Sequence, residues 1–176
     1  MSDQTEQTLN IYALLIGIDY YQPNLLYKNL KGAVRDINLV ADYLLKTLKI
    51  PSERIFKLTS PNPEVAKTIE TKDPEPTYAN IVAKFHAITE IARPGEQVYI
   101  HYSGHGGRMT TIYPELKGAD QPDEGIVPMD IGNESGRYLR DVELATLLKR
   151  MTDKGLIVTF IMDSCHSGEA TRGDDI

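Results

Sequence analysis

Leu156-Ile157-Val158-Thr159-Phe160-Ile161-Met162-Asp163-Ser164-Cys165-His166-Ser167-Gly168 is the stretch that decides the fold of this chain. Residues 156–162 form a continuous apolar run, rich in β-branched and aromatic types, with a glycine on each side. Its length and composition predict a buried strand. Residues 163–168 are small and polar and hold the single cysteine of the 176-residue chain. Ligands in open α/β sheets bind just beyond the carboxyl ends of strands, so the thiol lies where such a sheet puts its site. A free cysteine is also a common small core hydrophobe, and from this stretch alone both readings stand.

Working outward, the pattern repeats. Ile11 to Ile18 predicts a first strand, buried on both faces. A helix follows from about Gly32 to Leu48, with Ala33, Ile37, Val40, Ala41, Leu44, Leu45 and Leu48 at helical spacing. Arg54 to Leu58 alternates and predicts a peripheral strand. Ser60 to Pro76, with four prolines, reads as an exposed loop. Thr77 caps a second helix to about Ala92, with Ile81, Phe85, Ile88 and Ala92 inward. Gln97 to Ser103 is the third main strand, broken by Gly104-His105-Gly106-Gly107. The long segment Arg108 to Gly136 reads as irregular, with Gly125 to Pro128 as a short edge piece. Asp141 caps a third helix that leads into the 156–162 strand. This β-α-β-α-β-loop-α-β order predicts an α/β fold, a mostly parallel sheet with helices on both faces. The last and most apolar strand has nothing after it to cover its outer edge, so further strands are expected from a C-terminal segment or a partner.

Composition narrows the function classes. The net charge of −6, from 19 basic and 25 acidic residues, argues against nucleic acid or an anionic membrane as the main partner and suits a cationic substrate. One cysteine forms no internal disulfide, which points to a reducing compartment. No apolar run reaches the length of a membrane span. Residues 1–10 are a polar arm without an apolar signal core, and the expectation is a cytoplasmic protein.

The two polar breaks carry the chemistry. If the strands ending at Ser103 and Met162 are neighbours, His105 and Cys165 face each other across the crevice. A histidine partner lowers a thiol's pKa, and the thiolate is a strong nucleophile. The backbone N–H groups of Gly106 and Cys165 are then candidates for an oxyanion hole, and Gly106 and Gly107 admit a substrate backbone. A loop histidine held by backbone is the plainer account of His105. Other cysteine chemistries fail on spacing. A phosphatase loop needs arginine six positions after the cysteine, where this chain has Thr171. No Cys-x-x-Cys, dinucleotide fingerprint or Gly-x-Ser-x-Gly elbow occurs.

Tyr102-Ser103-Gly104-His105-Gly106-Gly107 and Asp163-Ser164-Cys165-His166-Ser167-Gly168 resemble the histidine and cysteine motifs of metacaspases, including the prokaryotic orthocaspases. Tyr12 to Ile18 followed by Leu30 to Asp36 resembles that family's opening. The resemblance covers nearly the whole chain. It implies a caspase-like three-layer α/β/α sandwich whose six-stranded sheet is shared between a large subunit (catalytic domain 11–168, with 169–176 starting a linker) and a C-terminal small subunit. It implies a cysteine endopeptidase that cleaves after Arg or Lys, with His105 and Cys165 catalytic. Asp163 lies two residues before Cys165, on the same face by strand alternation, and Asp36 opens the first helix. Two carboxylates beside the nucleophile suit a guanidinium. By resemblance the pocket also takes Ser103, and Ala33 stands where many relatives carry cysteine. Simpler roles exist for both aspartates, a helix-start charge for Asp36 and a turn former for Asp163.

Arg172-Gly173 fits the same specificity and is a candidate self-processing site. Many metacaspases bind calcium through acidic loop residues; Asp120, Asp123 and Glu124 are the candidates here, and a solvated acidic loop is the alternative. No cofactor is required by the expected reaction. The expected partners are a peptide or protein substrate with Arg or Lys before the scissile bond and the small subunit of the same precursor, not nucleic acid or membrane. A caspase-like scaffold without activity is the competing reading.

Overall fold

Strand β1 (Ile11–Ile18) is the axis of the molecule. In the computed structural model, which describes residues 10–65 and 73–164, it lies between β2 (Ile55–Ser60) and β3 (Gln97–Ser103), and β3 is followed outward by β7 (Ile157–Asp163). All three pairings are parallel. Six of the eight β1 residues are buried, as expected for a central strand covered on both faces. The expected α/β architecture, a mostly parallel four-stranded sheet flanked by helices, is therefore what the chain forms.

The period of two along each strand sorts the core into two layers. Ala13 and Leu15 join Ile37, Ala41 and Leu44 of α1 (Ala33–Lys46) on one face. Leu14, Ile16, Ile100 and Tyr102 pack on the other, against Ile81, Phe85 and Ile88 of α2 (Tyr78–Ile91) and Leu144, Leu147 and Met151 of α4 (Asp141–Asp153). Thr77 caps α2 as expected, its hydroxyl accepting from the Asn80 N–H. Asp141 is the first residue of α4 rather than its cap. The Glu143 carboxylate closes that helix end by accepting from the Arg140 N–H.

The segment expected to be irregular carries structure of its own. After β3 the chain forms β4 (Gly106–Met109), a single turn α3 (Pro114–Lys117), β5 (Asp123–Ile126) and β6 (Leu139–Arg140). Strands β4, β5 and β6 make a separate antiparallel sheet with β5 in the middle. The expected edge piece at 125–128 is thus the end of its central strand. Short strands with few β-branched residues leave little periodic signal.

β7 begins one residue later than expected and is not buried. Its outer edge is unpaired among the described residues, and Ile157, Ile161 and Met162 are exposed. No helix among the described residues is long and apolar enough to cross a membrane.

Candidate active site

The sheet brings the two motif strands together. β3 and β7 are neighbours, with Ser103 opposite Asp163, and β1 adds Gly17 opposite Ser103. Gly17, Ser103 and Asp163 thus form one row across the carboxyl ends of three strands, on the α1 face. Gly17 lets the start of α1 settle onto that row: a Cβ there would lie 3.0 Å from Ile37 Cγ1 and 3.1 Å from the Ala33 carbonyl oxygen. The helix start is fixed by Asp19, just past the end of β1. Its buried carboxylate accepts the N–H groups of Gly32 (3.0 Å), Ala33 (2.9 Å) and Val34 (3.2 Å). It does the work of an N-cap that Gly32, having no side chain, leaves undone.

Ala33, Asp36, Ser103 and Asp163 therefore gather at one end of the sheet. Ala33 and Ser103 are buried, Asp163 is exposed, and the Asp36 side chain is 40% exposed. The Asp36 carboxylate already holds a guanidinium, that of Arg35 at 3.2 Å, whose side chain is 74% exposed. Nothing in the sequence singled out Arg35.

His105 is held through both its backbone and its ring. Its backbone N–H donates to the Tyr21 hydroxyl at 2.8 Å, and its carbonyl accepts from the Tyr102 hydroxyl at 2.6 Å. Burial pushes the phenols of Tyr21, Tyr27 and Tyr102 well above the usual tyrosine range, so these hydroxyls keep their protons. The imidazole lies between the rings of Tyr21 and Tyr27, with centroids 5.0 and 5.3 Å away. Its Nε2 is 2.8 Å from the Lys28 carbonyl oxygen. A carbonyl only accepts, so Nε2 carries a proton, and in the neutral ring Nδ1 is the basic atom. The Lys28 carbonyl and the tyrosine clamp escaped the sequence reading. Loop composition said nothing of a main-chain oxygen, and only the density of tyrosines at 20, 21 and 27 hinted at the rings.

Gly107 makes room for side chains packed against it. A Cβ there would sit 2.7 Å from Tyr138 Cε1 and 2.8 Å from the Tyr27 hydroxyl, so its bareness accommodates these two tyrosines. Gly106 is buried in β4 directly after His105. Cys165, Arg172 and the linker at 169–176 lie outside the described residues; Ser164 is the last described residue before the thiol.

The three calcium candidates do not converge. Asp123 is fully buried and holds Arg140 at 2.5 Å and Lys117 at 3.3 Å. Burial raises its pKa, but hydrogen bonds from Thr111, Arg140, the Ile112 N–H and Lys117 outweigh it and bring the carboxyl to about 2. Glu124 pairs with Arg108 at 2.7 Å, and Asp120 is exposed. A hard cation wants several clustered oxygens; among the described residues no three His, Cys, Asp or Glu side chains gather in that way. These residues do not fit a calcium ion as they stand.

A family model described as the metacaspase, peptidase C14 domain matches residues 12–172. The chain belongs to the metacaspase family. Metacaspase-1A of Aspergillus oryzae is 32% identical over 160 residues, a span of 90% of this chain and 34% of that protein. Metacaspase-1 of Coccidioides immitis is 33% identical over 162 residues, 90% of this chain and 31% of that protein. The solved structure of protein GSU0716 from Geobacter sulfurreducens superposes with a TM-score of 0.61 over 90% of this chain and 51% of that one, at 23% identity, a likeness of fold. This metacaspase chain spans about a third of the length of the curated relatives it matches.

Proposed function

We propose that this chain is the catalytic part of a cysteine endopeptidase that cleaves after Arg or Lys. The observation that carries the reading is His105, held between two tyrosine rings with its Nε2 proton on the Lys28 carbonyl, at the end of the strand beside β7. The thiol of Cys165 follows β7 by two residues. In the proposed reaction, Nδ1 of His105 takes the thiol proton and the thiolate sulfur attacks the scissile carbonyl carbon. The N–H groups of Gly106 and Cys165 receive the oxyanion. Protonated His105 then gives its proton to the leaving amine, and water hydrolyses the thioester with His105 as base again. The Lys28 carbonyl keeps the ring in the tautomer that leaves Nδ1 basic.

The basic specificity rests on Asp36 and Asp163. The Arg35–Asp36 ion pair supports it to the extent that the Asp36 carboxylate accepts a guanidinium. An exposed pair of this kind is worth little, about 0–1 kcal/mol, so an incoming arginine displaces it at small cost. Ser103 and Ala33 complete the pocket floor. The open edge of β7 and its exposed Ile157, Ile161 and Met162 support a small subunit from the same precursor as the missing cover. Arg172 is the proposed self-processing site.

A fluorogenic Arg peptide offered to the full-length protein, with and without calcium, tests the reading. Cleavage that disappears in Cys165→Ala is the expected result. Absence of cleavage under both conditions would favour the inactive scaffold instead. Processing that persists in Arg172→Ala would remove only the processing site.

A further inference from the structure

One row below Ser103 and Asp163, on the same face of the sheet, stands His101, a histidine that the proposed reaction does not use. Parallel register sets it opposite Ile161 of β7 and Leu15 of β1. Its Nδ1 lies 3.0 Å from the Tyr99 hydroxyl. Its Nε2 is buried and meets no hydrogen-bond partner among the described residues. A buried polar atom left unpaired costs about 1–3 kcal/mol, and in a native protein such an atom calls for an explanation.

Among the described residues the charged and titratable neighbours are few. Tyr99 shares its strand. Asp163 reaches it from β7, and Asp36, with Arg35 across it, reaches it from α1. β1 presents only Leu15. Beyond Leu15, in the same row, Lys57 of β2 is held by Asp73 at 3.0 Å and Asn38 at 2.9 Å. Burial lowers the imidazole's proton affinity, the two carboxylates raise it, and burial prevails. His101 is therefore neutral at neutral pH and gains its proton on the acid side of the ordinary histidine value near 6.5.

We propose that His101 sets the charge of the basic side-chain pocket: neutral, it leaves Asp36 and Asp163 to a substrate cation, and protonated, it competes with that cation for their field. The inference rests on the Arg/Lys specificity proposed above and adds the group that switches it. His101 is a positioning residue that acts through the two carboxylates. Proton and substrate cation oppose each other, so KM for a basic substrate rises as pH falls through the His101 pKa. By linkage, a bound cation lowers the affinity of His101 for its proton by the same factor.

The test is the pH dependence of KM and kcat for an Arg peptide, from about pH 8 to about pH 5, in the full-length protein and in His101→Gln and His101→Asn. The wild-type KM is expected to rise about tenfold toward acid, the scale of one charge screened across a partly buried pocket. Both variants are expected to give a flat KM over that range with kcat at neutral pH unchanged. A KM limb that survives in both variants overturns the proposal, as does a wild-type KM without one. Should neither variant fold, NMR titration of the imidazoles in Cys165→Ala decides, with agmatine as the guanidinium probe. Agmatine is expected to lower the His101 pKa, and an unchanged value overturns the proposal. If the full-length protein cleaves Arg peptides with a pH-independent KM, the specificity stands and only the switch falls. If it cleaves neither Arg nor Lys peptides at any pH, both fall together.

Discussion

The Asp36 carboxylate, proposed above to receive a substrate guanidinium, already holds a resident one. Arg35 and Asp36 are adjacent in sequence and both reach solvent, so their pair is weak and dynamic. Removing Arg35 frees the carboxylate without touching the sheet. Arg35→Ala is expected to lower KM for an Arg peptide roughly twofold to threefold with kcat unchanged, read from initial rates. At this scale the sequence revealed the types of residue but not their partners. The placement of Ser103 and Asp163 at the carboxyl ends of neighbouring strands was legible because strand patterns and motif spacing are local. The Lys28 carbonyl was not, because every residue has one and only the path of the chain selects among them. Asp123 misled for the same reason. An acidic residue in a polar loop looks solvated until Arg140, distant in sequence, closes on it.

Helix α1 shows what an element contributes. Its amphipathic face was readable from spacing, and its observed span, Ala33–Lys46, is close to the expected one. Its anchor was not readable, since Asp19 belongs to another element and caps across a gap of 13 to 15 residues. Three N–H groups on one buried carboxylate are charge-assisted bonds. Asp19→Ala is expected to cost about 2–4 kcal/mol in a urea melt. The same variant is expected to raise KM for an Arg peptide, because Ala33 and Asp36 ride on the end that is released. A loss of stability with KM unchanged would separate the anchor from the pocket. The β4–β5–β6 sheet was the element least visible beforehand. Its strands are two to four residues long and are held by pairing and by the buried Asp123 rather than by a hydrophobic period.

For the whole molecule, the buried ion-pair cluster of Asp123, Arg140 and Lys117 fixes the small sheet to α3 and to the start of α4. The sign of its pH dependence follows from the lowered carboxyl. Asp123 titrates near 2 in the folded protein, below the ordinary value of about 3.9. Its contribution to stability is therefore complete above about pH 4 and is lost as pH falls toward 2. Asp123→Asn is expected to lower the melting temperature at neutral pH and to flatten its fall over that acid window, as followed by circular dichroism. The parallel sheet, its layers and the neighbouring of β3 and β7 were legible from the alternation of elements, because crossover handedness leaves few topologies. The apolar content and last place of β7 pointed to its outer edge, which is unpaired among the described residues.

The bond from His105 to the Lys28 carbonyl has one more consequence. No side-chain substitution at position 28 deletes a main-chain oxygen, so that position is free to vary while the orienting group persists. The constraint moves to whatever bends the backbone through 22–30. Asn24 accepts the N–H groups of Leu26 and Tyr27 and donates to the carbonyls of Gln22 and Tyr27. Asn29 accepts the Tyr21 N–H, and Asn62 donates to the Leu30 carbonyl. Substitutions that disturb the setting of His105 would therefore surface at Asn24, Asn29 and Asn62 rather than at Lys28.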